Sequence, residues 1–290
     1  MAGGKLCLMD GPFLGTEALE SGALTRHDLA RWHRRLYPDV YVPRRYEPTL
    51  RDRTVAAWLW SRRRGVIAGS AAAALHGADW VDATIPVELI WRNGRPPVGL
   101  VVRNEAIHDD EITTVRGIPV TSKSRTAFDL GRHLDRGDAV ARLDALKRAT
   151  AFHADSVWRL ADRYPGARGI ASLRRAIPLV DGGAASPRET WLRLLLVDAG
   201  LPRPTTQLAV VENRGKRLRT LDMGWEDYMV GVEYDGDQHR TDRPQYAKDV
   251  RVKRKLAEFG WLMTFVIKED RPDEIVASVR DALVSRGWRP

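Results

Sequence analysis

Cysteine is almost absent: the 290 residues contain only Cys7. One thiol excludes an intramolecular disulfide and any Cys-rich zinc cage, and it fits a reducing compartment. Long apolar runs are missing too. None approaches the ~20 residues that cross a bilayer, and the opening stretch MAGGKLCLMDGPFLG lacks the apolar core of a signal peptide. These absences predict a cytoplasmic protein with no membrane contact. Internal repeats and low-complexity tracts are also lacking, which excludes a solenoid.

What is present is an ordinary globular composition, 43% hydrophobic and 29% charged, on a chain long enough for more than one core. The net charge of +9 is uneven. Residues 1–182 hold 28 Lys/Arg against 21 Asp/Glu, and the remainder holds 19 against 17. A basic front attracts phosphate backbones, and the clusters Arg44-Arg45 and Arg62-Arg63-Arg64 are the candidate DNA contacts. Solvated surface arginine explains the same clusters.

Along the chain, Leu24-Thr25 precedes a helix expected over Arg26 to Leu36, and Val40 to Pro43 reads as a strand. Helix, turn and short β-arm resemble part of a winged helix-turn-helix, provided that a first helix begins near Thr16-Glu17; a small helical cap is the alternative. This unit is assigned residues 1–48. A helical stretch, Leu50 to Arg64, follows, and then GSAAAALHG, which lacks the lysine of a P-loop and reads as a tightly packed helix start. The period turns to two at Val87 to Trp91, Leu100 to Arg103 and Glu111 to Val115, predicting strands of one sheet. Helices are expected from Arg125, over Asp138 to Thr150, and twice between Ala154 and Leu179. The joint DGGAA at 181–185 closes a second domain, 49–182.

The ordered motifs VYVP, AGS-AAA-LHG and GIPVT-S-x-x-RTAFDL resemble AbiEi-type antitoxins and transcriptional regulators over roughly residues 20 to 150. The resemblance implies a DNA-binding winged helix and an accessory α+β domain, and a toxin or another protein is a candidate partner. It implies no chemistry.

The third domain, 183–290, opens on Ser186-Pro187-Arg188-Glu189, a capping box with proline at the first helical position, and Gly200 ends that helix. Strands are expected at Gln207 to Val211, Arg219 to Trp225 and Tyr228 to Tyr234, joined by hairpin-length links. A helix (Gln245 to Phe259), a strand (Trp261 to Ile267) and a last helix (Asp273 to Ser285) complete an α-β-β-β-α-β-α order. Asp222 then lies on the strand next to Glu233, and Glu233 and Asp235 share a face. Carboxylates so placed are costly without a cation between them, which predicts a divalent metal.

Glu189, Asp222, the run VEYDG at 232–236 and His239, followed by Tyr246, Asp249, Arg251 and Leu256, resemble the PD-(D/E)xK nuclease superfamily. The likeness is narrowest to the domain related to very-short-patch-repair endonucleases. It implies Asp222 and Glu233 as ligands of Mg²⁺ or Mn²⁺, Asp235 in the place of the superfamily's lysine and Glu189 as an outer ligand. Asp235 there either joins the metal, leaving His239 or a metal-bound hydroxide as base, or marks a site that has lost catalysis. Arg251, Lys253, Arg254 and Lys255 follow as candidate phosphate contacts. The expectation is therefore an α+β (α/β) protein with a winged-helix-like unit and a restriction-endonuclease-like domain, acting as a metal-dependent DNA endonuclease or nickase. The alternative is a non-enzymatic DNA-binding regulator or antitoxin that keeps the fold. RNA cleavage would use the same chemistry.

Overall fold

The computed structural model describes residues 10–211, 215–235 and 243–289, with the backbone alone for 243–249. It is a mixed α/β structure whose described residues form eleven α-helices and three sheets. Two compact units divide the chain: residues 1–134 with 149–174, and residues 135–148 with 175–290. The second thus takes in 135–148 and 175–182 besides the expected 183–290.

The first unit begins with β1 (Phe13–Leu14), α1 (Gly15–Glu20), α2 (Arg26–Trp32), β2 (His33–Tyr37) and β3 (Val40–Pro43). The strands form an antiparallel sheet in the order β1-β3-β2. Helix α1 lies where the sequence required a first helix. Helix α2 starts at a reciprocal capping box, in which Thr25 Oγ1 accepts from the Asp28 N–H at 3.1 Å and Asp28 Oδ2 accepts from the Thr25 N–H at 3.1 Å. The expected helix to Leu36 stops at Trp32 instead. From His33 the chain pairs with β3 and buries His33 and Tyr37, so tertiary pairing overrides local helical pattern. Asp39, at a positive φ of 62°, makes the tight turn to β3. Its carboxylate accepts from the Thr16 N–H at 3.0 Å and the Thr16 hydroxyl at 2.7 Å, which ties α1 to the hairpin.

Helix α3 (Leu50–Trp60) carries a second capping box, Thr49 with Asp52. Next come β4 (Val66–Ala68), α4 (Gly69–Leu75), β5 (Val87–Ile90), β6 (Leu100–Arg103), β7 (Ile112–Val115), β8 (Ile118–Thr121) and α5 (Lys123–His133). The strands form one mixed sheet, β6-β5-β4-β8-β7. The three strands expected from alternation are in it, joined by the short central pair β4 and β8. Ile67, Leu89 and Val120 are fully buried on this sheet against Ala56 and Ala57 of α3 and Ala72 of α4. Gly69 adopts a φ of +58°, and a Cβ there would collide with the Glu88 carboxylate, so the AGS glycine serves close packing. Helix α6 (Arg136–Thr150) falls mostly in the second unit, whereas α7 (Ala154–Arg163) and most of α8 (Ile170–Ala176) belong to the first.

The second unit holds α9 (Pro187–Asp198), β9 (Thr205–Val211), β10 (Arg217–Trp225), β11 (Val230–Tyr234), α10 (Arg243–Glu258), β12 (Leu262–Val266) and α11 (Pro272–Ser285). This is the expected α-β-β-β-α-β-α order. The sheet runs β12-β11-β10-β9, with β12 parallel to β11 and the other pairs antiparallel. Leu192 and Leu196 of α9 and Val279 and Leu283 of α11 pack on Met223, Val230, Val232 and Val266. Leu208, Leu221, Leu256 and Trp261 make a separate cluster.

Helix α6 is fastened to α9 by a buried ion pair. Arg193 Nη2 meets Asp144 Oδ2 at 2.6 Å, both side chains being shielded from solvent. Asp144 also accepts from the Thr190 hydroxyl at 2.8 Å and the Asp181 N–H at 2.7 Å, and Arg193 Nη1 donates to the Leu179 carbonyl at 2.7 Å. Each charge is thereby both paired and hydrogen-bonded, the condition for tolerating it inside a protein.

Candidate functional sites

In the second unit the sheet opens where the acidic residues lie. Pairing of β10 with β11 runs from Trp225↔Val230 to Met223↔Val232 and goes no further, while β10 stays paired with β9 as far as Arg217. Asp222 stands at the parting point. Its Oδ2 accepts from the Tyr234 N–H at 2.8 Å, taking the place of a ladder carbonyl. Gln207, at a φ of 50°, interrupts β9 at the same level and donates through Nε2 to Glu189 Oε2 at 3.2 Å. Glu189, Asp222, Glu233 and Asp235 are therefore electrostatic neighbours. Burial pushes the Asp222 carboxyl up to about 6, with the Glu189 and Asp235 charges adding to the rise and the Tyr234 N–H and Arg219 opposing it. Burial likewise raises Glu233, against the pull of Arg219.

Arg219 brings a guanidinium into this group of carboxylates. Its Nε and Nη2 fork onto Glu233 Oε1 and Oε2 at 2.5 and 2.8 Å. Glu189 is committed to its cap: Oε2 accepts from the Ala185 N–H at 2.8 Å and Oε1 from the Ser186 hydroxyl at 3.0 Å. Asp235 is half exposed and faces Lys253 Nζ at 3.8 Å. Among the described residues no three acidic, histidine or cysteine groups converge to hold a metal ion. The donor set Asp222, Glu233 and Asp235 therefore does not fit Mg²⁺ or Mn²⁺ as arranged, because a hard cation needs open carboxylate oxygens and Glu233 has given both of its own to a guanidinium. His239 and the side chains of Tyr246 and Asp249 lie outside the described residues. On α10, Lys253 turns toward Asp235 and over the Phe265 ring at 3.7 Å, whereas Arg251, Arg254 and Lys255 are exposed.

In the first unit, a second group of side chains lies on α1, α2 and the β2–β3 hairpin. Arg26, His27 and Arg31 on α2 and Arg35 on β2 are exposed, as is Arg45 beyond β3. Arg31 lies over the partly exposed Trp32 ring at 4.8 Å. Arg44 serves as a brace, its Nη2 donating to the Ala30 carbonyl at 2.8 Å and its N–H to the Trp32 carbonyl at 2.8 Å. Two members of the Arg62-Arg63-Arg64 cluster are engaged within the unit. Arg62 meets Asp39 at 2.9 Å, and Arg63 forks onto Glu17 at 2.5 and 2.8 Å. Arg64 is exposed. Arg26, Arg31 and Arg35 are not among the candidate contacts named from the sequence, and their exposure around the capped helix α2 is seen only in the structure.

Comparison with known proteins extends the description of both units. The profile of the AbiEi antitoxin C-terminal domain matches residues 65–182. Two uncharacterized proteins of Mycobacterium tuberculosis, from strain CDC 1551 / Oshkosh and strain ATCC 25618 / H37Rv, are each 29% identical over 238 residues, covering 81% of this chain and 86% of theirs. No helix among the described residues is long and apolar enough to cross a membrane.

Proposed function

We propose that this chain is a DNA-binding regulator of the antitoxin kind rather than a nuclease. The observation that carries the reading is the match of residues 65–182 to an antitoxin domain. It is supported by the elements just before that domain, α1, a turn, α2 and the β2–β3 hairpin, which have the order of a winged helix-turn-helix. In this reading α2 enters the major groove with Arg26, His27 and Arg31, and the hairpin and its flank bring Arg35 and Arg45 to the phosphates. Arg44, Arg62 and Arg63 hold the helix pair in place for them. A toxin is the expected protein partner.

A second reading keeps the endonuclease, and one observation favours it: burial, joined by the Glu189 and Asp235 charges, lifts Asp222 to about 6, a rise that added positive charge would oppose. It requires Arg219 to release Glu233. One experiment separates the two readings. Full-length protein is incubated with supercoiled plasmid and Mg²⁺ or Mn²⁺, and duplex binding is measured alongside. The regulator binds with strong salt dependence and leaves the plasmid intact. Nicking by the wild type that disappears in Asp222→Ala and Glu233→Ala would overturn it.

A further inference from the structure

We propose that Arg219 is a resident counter-ion that keeps divalent cations off the carboxylates of the second unit, and that its removal would turn Asp222 and Glu233 into a metal site. This holds whether or not the first unit binds DNA.

The Arg219 guanidinium takes both oxygens of Glu233, at 2.5 and 2.8 Å, in the planar two-point fit that guanidinium and carboxylate share. Glu233 is buried and the Arg219 side chain is only 30% exposed, so salt screens the pair far less than it screens a surface ion pair. Arg219 reaches across from β10 just where the β10–β9 ladder shifts register, between Arg217 and Arg219. Such irregularities re-aim side chains. Its charge also acts on Asp222, which stands where β10 and β11 part and is in turn an electrostatic neighbour of Glu233. The flanking carboxylates are engaged as well. Glu189 accepts from the Ala185 N–H, the Ser186 hydroxyl and the Gln207 amide, and Asp235 faces Lys253.

A divalent ion arriving here meets two obstacles. Mg²⁺ and Mn²⁺ are held through carboxylate oxygens, and Mg²⁺ gives up its hydration water reluctantly. Glu233 has neither oxygen to offer while Arg219 is in place. An ion bound beside it would also face a guanidinium of like charge across a partly buried gap, where repulsion is stronger than in water. Arginine cannot lose its proton to make room. Metal is thus excluded by an occupied carboxylate and a fixed charge, although acidic side chains are at hand. With Arg219 gone and Lys253 left on Asp235, Asp222 and Glu233 become two shielded carboxylates without a partner cation, the arrangement that draws one.

The test is calorimetric titration of the full chain, stripped with EDTA, with MnCl₂, beside thermal melts in MnCl₂ and in EDTA. The wild type is expected to show no saturable one-site binding and the same melting temperature in both. Arg219→Ala should gain one Mn²⁺ site, at least about tenfold tighter than any binding by the wild type, and should melt higher in MnCl₂ than in EDTA. Adding Glu233→Gln to that variant should abolish the gain, which locates it. Arg219→Gln, closer to arginine in length, is the second variant, and circular dichroism identifies which of the two is folded. One-site Mn²⁺ binding by the wild type that Glu233→Gln removes would overturn the proposal. So would a folded Arg219 variant that gains no site, or a gained site that survives Glu233→Gln.

Discussion

Asp222 and Asp144 show how the same residue type is handled in two ways at the scale of single side chains. Asp144 is paired with Arg193 and satisfied by two further donors, so removing it strands a buried guanidinium. Asp144→Ala is expected to lower unfolding free energy by about 3–5 kcal/mol in urea denaturation, the usual cost of breaking a buried pair. Asp222 is held in its ionised form only at a cost. Its folded value of about 6 lies above the ordinary 3.8, so the folded state binds the proton more tightly. The stability it lends is present below pH 3.8 and is lost as pH rises through about 6. Asp222→Asn, which keeps an acceptor for the Tyr234 N–H, should leave stability near that of the wild type at acid pH. At neutral pH it should stabilise by about 3 kcal/mol. Thermal melts of both proteins across this interval check the divergence.

At the scale of elements, most of the second unit was legible. Ser186, Pro187, Glu189 and Gly200 punctuate α9 at both ends, and the hairpin-length links fixed the meander. What escaped depended on partners distant in sequence. Strand β4 has three residues, too few for alternation to register, and both β4 and β8 are held as strands between two others in the sheet. The last turn expected of α2 became β2 because Val40 to Pro43 offered a pairing edge. Arg219 looks like any exposed arginine in the sequence, and only the sheet register brings it to Glu233, 14 residues away. The acidic cluster predicts a metal from sequence, and the Arg219 guanidinium that stands on Glu233 has no signal in composition or spacing. Helix α2 itself leans on its capping box. Thr25→Ala should cost about 1 kcal/mol and weaken duplex binding through the fraying of α2, measurable by thermal melt and fluorescence anisotropy together.

For the whole molecule, the proposed DNA binding by the first unit draws on the basic excess, the antitoxin-domain match and the helix-turn-hairpin start, while α10 of the second unit offers a rival basic face at Arg251 and Arg254. These two surfaces make opposite predictions. The decisive measurement is anisotropy of a labelled duplex with the full chain across roughly 50–200 mM salt, comparing wild type, Arg26→Ala/Arg31→Ala and Arg251→Ala/Arg254→Ala. Binding through α2 predicts that the first pair weakens affinity and flattens the salt slope by up to about two, while the second pair leaves both unchanged. Wild-type binding by the first pair, with the loss confined to the second, would contradict the account.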